Sequence, residues 1–357
     1  RNPEELLEIF KLLTWAKAAL TDSEQIPTAE LERALQRIAP SLRTLRHANG
    51  NLVRFQGGDQ GMEGMLDTAL AACGIKSRNS DGLTMGYARL SAGRTSVIID
   101  AGPPATGNAS YNAHASTLAF ELTSGRRPLI VSCGSGAHLG PDWHRAGRAT
   151  PSHSTLCLGG YSSARLGKPV KTSGLFREFL VEAPKIVPVE MSQTAEGVKF
   201  EGAHSGYVPP FGLTHARKLS LSLDGRSLVG EDLLIALNDT TGKAAETVLS
   251  EDIGPNVDFQ IRFHLHPEVD AALDLGGTTV AIAAKSGEIW IFRHESSLFL
   301  TIEPGVYLEK NQPTPRASRQ IVLSGMVNDA LTRAQWSLSK TQDTAMAIRD
   351  LRLEELR

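Results

Sequence analysis

Apolar residues recur near the 3.6-residue period at the start of the chain. Leu6, Leu7, Phe10, Leu13 and Ala16-Lys17 form one run, and Leu31, Leu35, Ile38, Leu42 and Leu45 form a second. Two amphipathic helices are predicted, the second kinked or split at Pro40, whose ring and missing N–H oppose a continuous helix. The stretch Gly57-Gly58-Asp59-Gln60-Gly61 leads into a third helix ending at Cys73-Gly74, glycine being a good C-terminal cap. The pattern changes near residue 80. From there to about residue 340, short apolar or alternating runs are punctuated by Gly, Pro, Asn and Asp. They include Thr95–Asp100, Leu118–Leu122, Leu129–Val131, Leu219–Leu223, Phe259–Leu265, Thr279–Ala284, Ile289–Arg293, Leu298–Ile302 and Gln320–Ser324. Closely spaced strands without strand–helix alternation predict a large antiparallel β-sandwich rather than a parallel sheet. The expected class is α+β, mainly β: helices over residues 1–76, a sandwich over 77–340 and a charged tail over 341–357. The helix-prone end of that tail, Ala347 to Arg357, is expected to be an exposed segment.

Composition narrows the function classes. At 357 residues, 41% hydrophobic and 21% charged, the chain can bury a large core and is not a disordered polymer. A formal net charge of −2 argues against nucleic-acid affinity built on bulk positive charge, while leaving room for a local basic groove and an acidic ligand. No apolar run is long enough to span a bilayer as a helix. Three cysteines (Cys73, Cys133, Cys157) make no full disulfide framework. The chain opens Arg1-Asn2-Pro3 without an initiator Met or a leader-like region, so it is expected to be a piece of a longer or processed protein.

Candidate chemistry is concentrated in the histidines. Of ten, only His47 lies in the helical part. His47, His138 and His294 read as surface or satisfied core residues. His264 and His266 in "FHLHP" share one face of a strand, which suits a shared ligand or two exposed positions equally. His114 and His153 each stand at the entry to a strand, and in a sandwich two such strands can lie side by side. Two imidazoles with Ser132 or Cys133 nearby would suit zinc, although two polar strand ends also account for the spacing. The stretch "PDWHRAGRATPSH" is predicted as a loop carrying Trp143, His144, Arg145 and Arg148. "EGAHSGYVPPFGLTHARKL" gathers His204, Tyr207, His215 and Arg217 around Pro-Pro-Phe. Loops on a rigid sandwich favour binding: Arg pairs with carboxylate or sulfate, and aromatic faces stack on sugars. The alternative is that Trp143 and Tyr207 plug the sandwich ends.

Several ordered blocks carry a family resemblance. "NAHASTLAFELTSGRRPLIVSCG", "DWHRAGRATPSHSTLCL", "GAHSGYVPPFGLTHARKLSLSLDGRSLVGEDLL" and "IRFHLHPEV" resemble the C-terminal part of the heparinase II/III family over about residues 80 to 300. The helical start, through "RHANGNLVRFQGGDQGMEGMLDTALAACG", resembles the last helices of that family's α/α toroid. The resemblance implies a polysaccharide lyase, a carbon–oxygen lyase cleaving uronic-acid polymers by β-elimination. The uronate carboxylate must be neutralised before its C5 proton is acidic enough to remove. It further implies an acidic polysaccharide partner, an extracytoplasmic or periplasmic setting and a structural zinc beside the cleft. His114 matches the metal histidine of an "HxH" pattern, and His153 matches the second metal histidine. His204 joins His114 and Asn112 as catalytic candidates on the cleft wall; Tyr111, Trp143, Arg148, Tyr207 and His215 are the substrate-binding candidates. Two positions depart from the family: Asn112 stands where some members carry a catalytic His, and Ser132 stands where a "LIVDxG" strand carries an acidic ligand. Cys133 would be the substitute ligand, but neighbouring strand residues point to opposite faces.

The family's catalytic Tyr and carboxylate-handling residues belong to earlier toroid helices, and residues 1 to 75 contain no Tyr. The chain alone is therefore expected not to turn over substrate. Two function classes follow: the sandwich half of a polysaccharide lyase, or a carbohydrate-binding or structural protein on the same scaffold. A generic hydrolase has no GxSxG and no compact carboxylate pair behind it.

Overall fold

The computed structural model describes residues 1–77, 82–172, 174–249, 257–295, 297–327 and 329–341. The helix-prone tail lies outside them. Helix α1 (Pro3–Asp22) starts where Asn2 accepts from the backbone N–H groups of Glu4 and Glu5, with Pro3 in the first turn. Helix α2 (Ala29–Thr44) starts at Thr28 and runs through Pro40 without splitting. The break expected there does not form: packing of Leu35, Ala39 and Leu42 in a buried cluster outweighs one lost backbone bond. Helix α3 (Met65–Cys73) ends at Gly74, whose φ of +72° is the left-handed cap glycine favours.

The strands form two eight-stranded antiparallel sheets. Strands β1 (Tyr87–Ala92), β2 (Thr95–Asp100), β3 (Phe120–Ser124), β4 (Arg127–Val131) and β5 (Leu156–Leu158) open the first. Four short strands, β6 (Arg165–Leu166), β7 (Val170–Thr172), β8 (Leu175–Arg177) and β9 (Leu180–Glu182), make two small ribbons. Then come β10 (Val189–Gln193), β11 (Gly197–His204), β12 (Thr214–Ser222) and β13 (Ser227–Ile235). The last are β14 (Asp258–Leu265), β15 (Val269–Asp274), β16 (Thr279–Ala284), β17 (Ile289–His294), β18 (Phe299–Tyr307), β19 (Arg316–Met326) and β20 (Leu331–Lys340). The first sheet runs β1-β2-β3-β4-β14-β19-β18 with β5 also on β14; the second runs β10-β11-β12-β13-β20-β17-β16-β15. The expected mainly β sandwich is the observed fold.

Alternation along β2 and β3 sets the layers. Val97, Ile99, Phe120 and Leu122 point into the sandwich core beside Phe263, Trp290 and Trp336. The opposite face of the first sheet meets the helices: Tyr87, Ile98 and Ala119 join Leu7, Phe10, Leu35 and Phe55 in a second buried cluster. The first sheet is thus covered on both faces there, which explains why every residue of β2 and β3 is buried.

Candidate functional site

The face that the first sheet turns to the helices is not purely apolar. Ser96, Asp100, Glu121 and Thr123 are buried there, and a buried charge persists only with partners. The segment between α2 and α3 supplies most of them, and Arg1, ahead of α1, pairs with Asp100 at 2.5 Å. The Gln56 side-chain amide donates to Asp100 (2.7 Å) and Ser116 Oγ (2.9 Å), and its carbonyl oxygen accepts from the backbone N–H of His114 (3.1 Å). Glu121 accepts from the backbone N–H groups of Ser132 (3.2 Å) and Arg54 (3.4 Å) and lies 3.2 Å from Nε2 of His47. Arg54 donates to Asp59 (2.9 Å) and to the carbonyls of Ser132 (3.2 Å) and Leu308, and its guanidinium lies 4.0 Å from the Tyr307 ring centroid. Burial would raise the Asp59 pKa, but Arg54 holds it below the usual carboxylate range. Gly134 is fitted to this lattice: at φ +105° it faces the Arg54 guanidinium and the Leu308 carbonyl where a Cβ would stand. Gly134→Ala is expected to cost about 2–3 kcal/mol through strain and displacement of Arg54, read from the urea midpoint.

His114 and His153 do come together beside this seam. Nδ1 of His114 lies 3.3 Å from Nε2 of His153, and Nδ1 of His153 lies 3.3 Å from Ser132 Oγ. Both rings are buried, at 1% and 0% exposure, so neither presents itself to a polymer. Burial lowers the pKa of both, His153 to about 3, so the pair is neutral at pH 7. A chain of neutral groups satisfies the contacts: Ser132 donates to His153, which donates to His114. That leaves Nε2 of His114 without a hydrogen-bond partner among the described residues.

A zinc site does not fit this donor set. Two imidazoles and a neutral hydroxyl supply no anionic ligand, and Ser132 addresses the nitrogen of His153 that points away from His114. Cys133 faces the other way, with Sγ 3.3 Å from Nδ1 of His264, and burial pushes its thiol pKa up to about 12. Among the described residues, no group of three His, Cys, Asp or Glu side chains is placed to hold a metal ion.

The other candidates fall in three places. Asn112 and Tyr111, both half-buried, end a 3₁₀ segment (Gly107–Asn112) at the seam; Asn112 abuts Gly57, and Arg177 lies 4.8 Å from the Tyr111 ring centroid. Residues predicted as a loop form helix α4 (Pro141–Arg148), with Pro141 at its start, Asp142 in the first turn and two arginines in the last, an order that suits the helix dipole. On it, Trp143 and His144 are half-buried. Arg148 is 2% exposed and donates to the carbonyls of Ser110 (2.7 Å), Ala113 (2.9 Å) and Glu178 (2.9 Å), so it props the Tyr111–Asn112 segment instead of facing a ligand. His204, Tyr207 and His215 lie inside the sandwich. His204 and His215 pair across β11 and β12, His215 reaches Asp232 at 2.7 Å, and Tyr207 donates to the Leu156 carbonyl at 2.8 Å. Expected as catalytic (His204) or substrate-binding (Tyr207, His215) residues, these three are instead buried: His204 and His215 occupy inward-pointing positions of β11 and β12, and Tyr207 is enclosed in the turn that follows β11. Arg54, Gln56, Asp100 and Glu121 escaped sequence reading because each has an unremarkable neighbourhood; the polar residues of β2 and β3 at alternate positions were the available signal.

Comparison with known proteins places this geometry. The family model described as heparinase II/III-like, C-terminal, matches residues 75–341. FtsZ-localized protein C of Caulobacter vibrioides is 32% identical over 355 residues, covering 96% of this chain and 58% of that protein. Among solved structures, a heparan sulfate lyase mutant from Pedobacter heparinus superposes with a TM-score of 0.66 at 12% identity, covering 96% of this chain and 52% of that one. A heparinase III with methylated lysines gives 0.69 at 13% identity, with the same coverage. At that identity the structures speak for the fold alone. The chain spans a little over half the length of the relatives it matches.

Proposed function

The chain belongs to the heparinase II/III-like C-terminal family, and from that premise we propose that it is a non-catalytic member, keeping the lyase scaffold without a working β-elimination centre. One observation carries the reading: Asn112 and Ser132 stand together where the family resemblance puts an acid–base histidine and an acidic metal ligand. An amide exchanges no proton usefully at neutral pH, and a hydroxyl adds no negative charge to a cation site. The buried, neutral His114–His153–Ser132 chain supports the same reading, as an internal strut that needs no metal. The Caulobacter relative adds direction, because its name ties it to FtsZ and not to a polysaccharide. We extend that association to this chain as the working role of the scaffold.

The second reading keeps the lyase. In it, helices outside this chain supply the Tyr and the carboxylate-handling residue, the partner is an acidic polysaccharide, and the setting is extracytoplasmic. The heparinase-like fold and the retained His114 and His153 favour it. The full-length protein incubated with heparan sulfate, alginate and other uronans is expected to give no rise in unsaturated-uronate absorbance, while a fluorescent fusion follows FtsZ. A steady absorbance rise with any uronan would overturn the non-catalytic reading. Elemental analysis of the same preparation, with His114→Ala as control, is expected to find no stoichiometric zinc.

A further inference from the structure

A wide concavity lies away from the His114–His153 pair. A cleft of about 730 Å³ opens where the ends of α2 and α3 meet β1, and Arg43, Arg46, Lys76, Arg89 and Asp67 supply its charge. Four cationic side chains against one carboxylate leave the wall strongly positive in a protein whose net charge is −2. Asp67 binds Arg46 through a terminal nitrogen at 2.8 Å. Nε of Arg46 is buried with no hydrogen-bond partner among the described residues. Arg89, half-buried on β1, is anchored by donating to the carbonyls of Thr44 (2.9 Å) and Arg46 (2.7 Å) and to Ser91 Oγ (2.8 Å), and no carboxylate pairs with it among the described residues. Burial, and then Arg46, push its pKa down to about 10. Arg43 is likewise fixed, donating to the carbonyls of Ile75 and Ser77 (3.1 Å). Guanidiniums held on carbonyls at fixed spacing, close enough to repel one another, are what a bound anion would relieve.

We infer that this cleft binds a small multivalent oxyanion, a phosphate or sulfate ester, held between Arg46 and Arg89 with Arg43 and Lys76 at the mouth. Its volume suits a ligand of nucleotide or disaccharide size. A tetrahedral oxyanion has oxygens enough to meet more than one of these cations at once, whereas the two oxygens of a carboxylate are used up by a single guanidinium fork. The cleft is separate from the His114 seam: Ser91 pairs with Ser96 at one end of β2, and Asp100, joined to His114 through Gln56, lies at the other. Four residues of extended strand put about 13 Å between those ends.

Isothermal titration of the full-length protein with sodium pyrophosphate, phosphate and sulfate, against sodium chloride at equal ionic strength, tests this. Saturable one-to-one heat is expected from pyrophosphate and not from chloride; the phosphate and sulfate arms tell phosphoesters from sulfated sugars as the source. Lys76→Glu, at an exposed position that leaves the anchored arginines intact, is expected to weaken binding about tenfold. Arg46→Gln is expected to abolish it. No saturable heat from any oxyanion, or affinity unchanged in both variants, overturns the inference.

Discussion

Asp232→Ala is expected to lower the unfolding free energy by about 3–5 kcal/mol, the cost of stranding a buried cation. Asp232 is 1% exposed and takes four donors: Arg217 through Nε (2.8 Å) and Nη2 (3.0 Å), His215 through Nε2 (2.7 Å) and Trp336 through Nε1 (3.0 Å). The strand register puts Arg217 directly opposite Asp232, so the pair is fixed by backbone geometry. Arg217 is fully buried and bridges the two sheets, because Nη1 donates to the carbonyls of Leu118 and Ser154 (both 2.9 Å) on the other side. Without the carboxylate, a guanidinium faces Phe120 and Trp336 uncompensated. The measurement is the urea midpoint at unchanged slope; a loss below about 1 kcal/mol would show that the carboxylate is not needed to hold Arg217. The double change Arg217→Met with Asp232→Leu is expected to recover most of the loss, since apolar replacement removes both charges together.

Acid is expected to begin destabilising the protein near pH 6.5, roughly the reference value of a free imidazole and above the carboxylate range. Burial, the first cause in each case, lowers the pKa of His153 to about 3 and of His264 and His266 to about 4, and it moves His114, His204 and His215 the same way. In the unfolded chain these rings titrate near 6.5, roughly the reference value. The unfolded state therefore binds protons first as pH falls. Their contribution to stability is complete above about pH 6.5 and is lost progressively toward pH 4. His153 and His264 alone account for about 2.5 kcal/mol each at pH 4.5. Asp232 acts in a different window. Burial would raise its pKa, but Arg217 and His215 outweigh that and hold it far below the usual range, so its contribution is lost only below about pH 4. Urea titrations at pH 7.5 and 4.5 are expected to differ by about 5 kcal/mol or more. An equal stability at both would mean that the imidazoles are not held neutral.

The sandwich was readable because its strands alternate and its turns are rich in Gly, Pro, Asn and Asp. Thr95–Asp100 and Thr279–Ala284 were read to the residue. Pro40 misled because its local cost is small beside the burial of Leu35, Ala39 and Leu42. Helix α4 was hidden because "PDWHRAGR" has few apolar residues to betray a period, and its signal lies in Pro141 and the order of its charges. The meeting of His114 and His153 was foreseeable once two strand ends were placed side by side. That Arg148, His204 and His215 turn inward was not, since a polar residue on a strand looks the same from sequence whether it meets water or a buried Asp232. The partners that decide this, Asp232 for His215 and the carbonyls of Ser110 and Ala113 for Arg148, lie 17 and 35–38 residues away.

The doubly covered first sheet bears on how such a protein can be inherited. A sandwich cut free at residue 76 would carry Asp100 and Glu121 on a bare face, without Gln56, Arg54 and His47 to meet them, beside Tyr87 and Ile98 newly exposed to water. Recombination that swaps one layer for a stranger's would have to reproduce that pattern of donors residue for residue. The helices and the sandwich are therefore expected to be passed on as a single cassette.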